Sequence, residues 1–136
     1  MKDYLKPEGV HNLHGMSALG LAHIGDAVFE LMIRTWLCTH GTSTAKNLHN
    51  ETVSYVSAKA QAASVEKIIP KLTEDEYLIF RRGRNAHISN VPRASTFEEY
   101  HAATGLEALF GYLYLAGKIE RVNELFSAII NSSTTR

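Results

Sequence analysis

Asp26 and Glu107 are the residues of this chain whose surroundings most clearly demand chemistry. Each stands in an apolar, helix-like stretch, Asp26 in Leu21-Ala22-His23-Ile24-Gly25-Asp26-Ala27-Val28-Phe29 and Glu107 in Gly105-Leu106-Glu107-Ala108-Leu109-Phe110-Gly111. An unpaired charge in such a setting costs several kcal/mol. No basic residue lies within a helical turn of Glu107, and Gly25, Gly105 and Gly111 would let helices carrying the two acids approach closely. A divalent cation shared by both carboxylates resolves the two charges together, which points to a metal-dependent active site. Magnesium takes oxygen ligands, keeps several waters, and is commonly held by one or two carboxylates together with substrate phosphate oxygens. A hydrolase of that kind uses the ion to lower the pKa of a bound water and to offset charge at a phosphoryl centre.

Simpler readings stand beside this one. Taken alone, Asp26 fits a solvated acid at the seam of an amphipathic helix, and Glu107 fits a core carboxyl that is protonated or held by a distant arginine. A second metal reading uses the Glu-x-x-His spacing of Glu98 and His101, with Glu8 and His11 as a further match, but Pro7 and Gly9 make the latter a poor helix. The other histidines, His14, His23, His40, His49 and His87, show no ligand spacing and read as surface or cap residues.

The elements that must position the acids are helices. The first is predicted from an N-cap at Ser17 to His40, stopped by Gly41, with Leu21, Ile24, Val28, Leu31 and Leu37 at three-to-four spacing. Thr42-Ser43-Thr44 then leads to a helix over Ala45 to Asn50 and a longer one from Val53 to Ile69, ended by Pro70. On the longer one Tyr55, Ala58, Ala62 and Val65 share a face, with Lys59 and Lys67 elsewhere. Thr73 with Glu76 forms a capping box opening a helix that ends near Arg84. Asn85 to Thr96 is weakly patterned and reads as an exposed loop of functional length. Ser95 with Glu98, or Thr96 with Glu99, can cap the next helix, which continues to about Ala116 and stops at Gly117. That helix is apolar all round, the mark of a central element covered on every side. A last helix covers Ile119 to Asn131, and no segment reads as a strand, so the fold class is all-α.

At 136 residues the chain suits one domain, 1–136, with residues 1–14 as an N-terminal extension and 132–136 as a frayed tail. Its longest apolar run, Leu106 to Gly117, falls short of the roughly 20 residues needed to span a membrane, and the N-terminus is not of secretory type. A cytoplasmic location is expected. Cys38, the single cysteine, excludes an internal disulfide and a multi-thiolate zinc site and is expected to be a small buried hydrophobe. Net charge is zero, which as a bulk property gives no support for a polyanionic partner. Its distribution is more informative: residues 81–93 carry four arginines and no acid, so they hold +4 and the remainder −4.

Several motifs together resemble a known family. Ile24-Gly25-Asp26-Ala27-Val28 with Leu106-Glu107-Ala108-Leu109-Phe110-Gly111-Tyr112-Leu113-Tyr114-Leu115 is similar to the catalytic domain of ribonuclease III over most of the chain. Tyr55-Val56-Ser57-Ala58-Lys59-Ala60-Gln61-Ala62, Arg81-Arg82-Gly83-Arg84-Asn85-Ala86 and Thr104-Gly105-Leu106-Glu107-Ala108-Leu109 resemble its short bacterial branch, Mini-ribonuclease III, which lacks a double-stranded-RNA-binding domain. The resemblance implies an all-helical homodimer that hydrolyses both strands of duplex RNA with magnesium, manganese substituting, to leave 5′-phosphate and 3′-hydroxyl ends. It implies a role in maturation of precursor large-subunit ribosomal RNA, and it makes Asp26 and Glu107 the catalytic metal ligands. Full-length ribonuclease III has a Glu four residues before that Asp and an Asp three residues before that Glu, where this chain has Ala22 and Thr104. Waters, RNA phosphate and the Thr104 hydroxyl are then the candidates to complete the shell.

Duplex RNA is gripped through phosphates and 2′-hydroxyls across its shallow minor groove, which calls for cations beside the cutting site. Arg81, Arg82, Arg84 and Arg93 supply them, with Lys59 and Asn85 as further RNA-binding candidates. An arginine-rich helix end also complements the helix dipole without any ligand. The candidate dimer surface is the face of the first helix bearing Phe29, Met32, Ile33 and Trp36, unless all four are core. The competing function is a non-catalytic helical adaptor for double-stranded RNA, in which the arginines act and the acids do not.

Overall fold

A computed structural model of the chain describes residues 1–8, 12–40, 44–86 and 96–134. Helix α1 spans Ala18–His40, and the Ser17 hydroxyl accepts the Gly20 N–H at 3.0 Å, as its N-cap role predicts. The expected stop at Gly41 lies outside the described residues. The next two helices divide differently from expectation. Helix α2, Ala45–Val56, runs straight through residues 51 and 52, and the break comes at Ser57 before α3, Ala58–Ile68. Ser57 is extended (φ −62°, ψ 156°); its N–H closes α2 on the Val53 carbonyl while its side chain accepts the Ala60 N–H. One serine thus ends one helix and caps the next, so no longer linker is needed.

Pro70 sits in a single 3₁₀ turn, Ile69–Lys71, and α4 follows as Glu74–Arg84 behind the predicted Thr73/Glu76 capping box. Of the two frames open to α5, Phe97–Leu115, the Thr96/Glu99 box is the one formed. Its C-terminus is a Schellman turn. Gly117 adopts φ 77° while its N–H bonds Tyr114 O and the Lys118 N–H bonds Leu113 O. Helix α6, Ile119–Thr134, extends three residues beyond the expected Asn131. No strand occurs among the described residues, and the architecture is all-α.

Helix α5 is the axis, packed by α1, α3, α4 and α6, and its residues 103–106 and 108–111 are all buried. Phe29 meets Phe110 edge-on at 5.5 Å and 83°, an arrangement worth about 0.5–1.5 kcal/mol beyond its buried area. Which face of α1 turns inward differs from the spacing-based expectation. The buried stripe is Leu21, Gly25, Phe29, Ile33 and Leu37, in steps of four, while Leu31 is 57% exposed and Ile24 and Val28 are only half-buried. Gly25 decides this, since only a face without a Cβ at that point lets the α5 backbone come close, and the large side chains above and below it follow.

Phe29 and Ile33, at 1% and 0% exposure, are therefore core and not dimer surface, whereas Met32 and Trp36 are half-buried. The outward apolar stripe is instead Ile24, Ala27, Val28 and Leu31. With Met32, Tyr114, Ile119 and Val122 it lines a groove of about 440 Å³ reached by Tyr4 and Leu5. Cys38 likewise lies on the outer side of α1 and is exposed, not buried. On α3 the inward face is Gln61, Ser64, Val65 and Ile68 in place of the expected Ala58, Ala62 and Val65 set, because Tyr55 belongs to α2. Glu30 and Arg34, four residues apart on the outer side of α1, form a surface ion pair at 2.6 Å.

Candidate active site

The two acids meet where α1 crosses α5. A Cβ on Gly25 would fall 1.6 Å from the Glu107 carbonyl oxygen, and one on Gly111 would fall 1.9 Å from the Leu21 carbonyl oxygen, so the crossing is backbone against backbone. Asp26, one residue along from Gly25, is carried to the side of this contact, and its carboxyl comes within hydrogen-bonding reach of that of Glu107. The acids differ in setting: Asp26 is exposed, whereas Glu107 is largely covered between α1, α3 and α5. Asp26 thus realises the rim position that its spacing allowed, and Glu107 the interior one.

Burial pushes the Glu107 carboxyl up to about 8, and the neighbouring Asp26 charge pushes in the same direction. A hydrogen bond donated by Gln61 opposes them. Among the described residues no arginine holds Glu107; its hydrogen-bond donor is Gln61 of α3, whose Nε2 donates to Glu107 Oε2 at 3.2 Å and to the Val56 carbonyl at 3.0 Å. Gln61 is 2% exposed, and its Oε1 finds no hydrogen-bond partner among the described residues. In the sequence Gln61 stands inside the Tyr55–Ala62 motif with no charge or ligand spacing to single it out. The available signal was a carboxamide four residues before Val65 on a helix whose other neighbours at that point are alanines.

Thr104 is buried, and its hydroxyl donates to the Tyr100 carbonyl at 3.0 Å, while Ala22 is buried without any ligating atom. Consistently, no cluster of three or more His, Cys, Asp or Glu poised for a metal occurs among the described residues. The donor set is two carboxylates open on the Asp26 side, with a buried amide oxygen close by. That set fits a hard divalent ion retaining water and accepting substrate oxygens, and it fits no thiolate or imidazole metal. His101 of the competing metal reading is engaged elsewhere: its Nδ1 donates to the Arg84 carbonyl at 2.8 Å and its ring lies 4.5 Å from that of Phe97.

Gly83 seats the arginine-rich end of α4 on α5, where a Cβ would lie 2.7 Å from Cβ of Ala108, the residue after Glu107. Arg81 and Asn85 are exposed. The Arg82 guanidinium donates to the Met16 carbonyl at 3.1 Å, tying down the segment before α1. Arg84 lies over the Phe80 ring at 5.6 Å and donates from Nε to Asn85 Oδ1 at 3.3 Å. Lys59 is exposed, two residues from Gln61 on the outer side of α3. Arg93 lies outside the described residues.

Residues 19–118 match the family model described as the ribonuclease III domain. The chain is 48% identical over 123 residues to the Mini-ribonuclease 3 of Thermoanaerobacter sp. (strain X514), covering 90% of this chain and 84% of that protein. It is 46% identical over 110 residues to the Mini-ribonuclease 3 of Symbiobacterium thermophilum, covering 81% and 85% respectively. A crystal structure of a Fusobacterium nucleatum protein superposes with a TM-score of 0.82 at 34% identity, over 91% of this chain and 99% of that one.

Proposed function

We infer the function from membership and geometry together: the chain belongs to the ribonuclease III catalytic-domain family, in its Mini-ribonuclease III branch. It is a nuclease of ribonuclease III type. In finer terms, we propose a magnesium-dependent endoribonuclease that cuts double-stranded RNA, with precursor large-subunit ribosomal RNA as the transcript. The observation carrying this reading is the meeting of Asp26 and Glu107 across the Gly25–Gly111 crossing, with the end of α4 that bears the arginines packed on the same helix α5.

Asp26 and Glu107 would hold the ion. When bound, it supplies a water of lowered pKa and offsets charge at the scissile phosphate. Everything else falls to the chain. The Gly-lined crossing sets the separation of the two carboxylates. The covered walls around Glu107 keep bulk water from competing for its oxygens. Arg81, Arg84 and Lys59, with Arg93, provide cations for flanking phosphates, and Asn85 provides a hydrogen-bonding edge. Hydrolysis then leaves 5′-phosphate and 3′-hydroxyl ends.

Cutting both strands calls for two centres related by a two-fold axis, matching the pseudo-two-fold of a duplex. The outward stripe Ile24, Ala27, Val28 and Leu31 is the surface proposed to receive the second copy, and it adjoins Asp26 on α1. No helix among the described residues is long and apolar enough to cross a membrane, and the proposed site of action is the cytoplasm.

The test is incubation with long duplex RNA, with and without magnesium. Fragments appearing only with the ion, and accepted by a 5′-phosphate-dependent exonuclease, support the nuclease. A retarded but intact duplex in the presence of the ion replaces it with a binding adaptor.

A further inference from the structure

We propose that Gln61 is a positioning residue for the acid pair: its side-chain amide, anchored on the Val56 carbonyl, fixes the Glu107 carboxylate in the orientation that receives the divalent ion. This rests on the metal-dependent reading above. Gln61 is a costly residue to keep at this position. Gln61 is almost wholly buried, at a point of α3 where Ser64, Val65 and Ile68 share its face and an apolar side chain would fill the space without a polar group to satisfy. A buried amide persists where both its ends are bonded, yet Oε1 finds no partner among the described residues.

The amide cannot satisfy that oxygen by turning over. The Val56 carbonyl in front of Nε2 can only accept a hydrogen bond, so the nitrogen must face it, and from there it also donates to Glu107 Oε2. Satisfaction of Oε1 is given up in favour of the two donations. The bond to Val56 O is local and exists because α2 ends there, at the Ser57 break, leaving a helix-terminal carbonyl without an intrahelical partner. A main-chain anchor on one side and a carboxylate 46 residues away on the other make Gln61 a rigid bracket between α3 and α5. Asp26 is solvent-facing, so Glu107 is the covered ligand of the pair, the one whose aim a buried partner can set, and Gln61 is its setter. Partners of this kind, once removed, typically cost about 10–100-fold in metal affinity.

The test compares wild type with Gln61→Met, Gln61→Asn and Asp26→Asn. Mn²⁺ binding to the RNA-free protein is read by electron paramagnetic resonance, alongside circular dichroism for folding and steady-state cleavage of duplex RNA. Gln61→Met preserves length and volume but cannot donate. Gln61→Asn keeps a carboxamide in the slot while shortening its reach to Glu107, and it serves should the Met variant fold poorly. The expected result is Mn²⁺ affinity reduced by about 10-fold or more in a folded Gln61 variant, with kcat lowered at limiting metal, partly recovered at high metal, and KM for RNA unchanged. Mn²⁺ affinity and kcat unchanged in a folded Gln61 variant, with both lost in Asp26→Asn, would overturn the bracket and leave the nuclease reading in place. Wild-type binding and cutting by Asp26→Asn would instead remove the reading on which the bracket rests.

Discussion

Gly25 and Glu107 touch through their backbones: the missing side chain of the glycine is what allows α1 to lie against the carbonyl of the acid-bearing residue. The contact is mirrored four residues on, where Gly111 meets the Leu21 carbonyl. Two glycines facing two carbonyls hold the helices at a separation that no other residue permits, and Asp26 inherits its place beside Glu107 from that separation.

Gly25→Ala is accordingly expected to act on fold and site together. A methyl group 1.6 Å from a carbonyl oxygen cannot be absorbed by a rotamer change, so the helices must part. Overpacking of this kind costs about 3 kcal/mol. Urea denaturation should show the loss, and duplex-RNA cleavage should fall even at temperatures where the variant is folded. An alanine variant of wild-type stability and activity would show that the crossing is looser than described.

Removing either acid separates the chemistry from the fold. Asp26→Asn and Glu107→Gln should each abolish cutting while leaving circular dichroism unchanged, because Asp26 is exposed and Gln at 107 can still accept from Gln61. Retained cutting by both variants would end the catalytic assignment.

The pH dependence follows from Glu107. Its folded pKa is raised to about 8, so between the unfolded value near 4.5 and 8 the folded protein holds a proton that the unfolded chain has lost. In the metal-free state, stability contributed by this group therefore falls as pH rises through that window and levels off above it. Melting in EDTA should show the decline, and Glu107→Gln should remove most of it. Glu76 does not obscure the effect. The Arg121 guanidinium, at 2.8 Å, holds its carboxyl below the usual range, and that contribution is lost only as pH falls below the ordinary carboxylate value. Because a divalent ion competes with the Glu107 proton, metal affinity should rise with pH up to about 8. A metal affinity independent of pH from 6 to 8, about two units across the working range, would contradict a shared site.

Much of this was legible in the chain itself. The capping boxes at Thr73 and Thr96 and the stop at Gly117 are local chemistry, and they appear where the residues put them. The acid pair was legible because a carboxylate in the all-round apolar α5 has few explanations. The inward face of α1 was not, since it carries two apolar stripes and the choice between them is made by contact with Gly111, 86 residues from Gly25. Ser57 was missed as the helix break because a serine that caps is indistinguishable in sequence from one inside a helix. Gln61 was missed because its role depends on a hydrogen bond to another helix.

The α4 arginines are not equivalent, and their variants should differ accordingly. Arg81 is exposed with its side chain toward solvent, so Arg81→Ala should weaken duplex-RNA binding, reduce the salt dependence of log Kd by about one unit of slope, and leave stability alone. Arg84 lies over Phe80 and has its own carbonyl held by His101, so Arg84→Ala should cost affinity together with about 0.5–1 kcal/mol of stability from the lost ring contact. Arg82 spends a donor on the Met16 carbonyl, so Arg82→Ala should free the segment before α1 to proteolysis as well as weaken binding. Filter binding across a salt series, limited proteolysis and thermal melts on the three variants separate these effects. Identical salt slopes in all three variants and wild type would mean that this end of α4 complements its helix dipole and takes no part in gripping RNA.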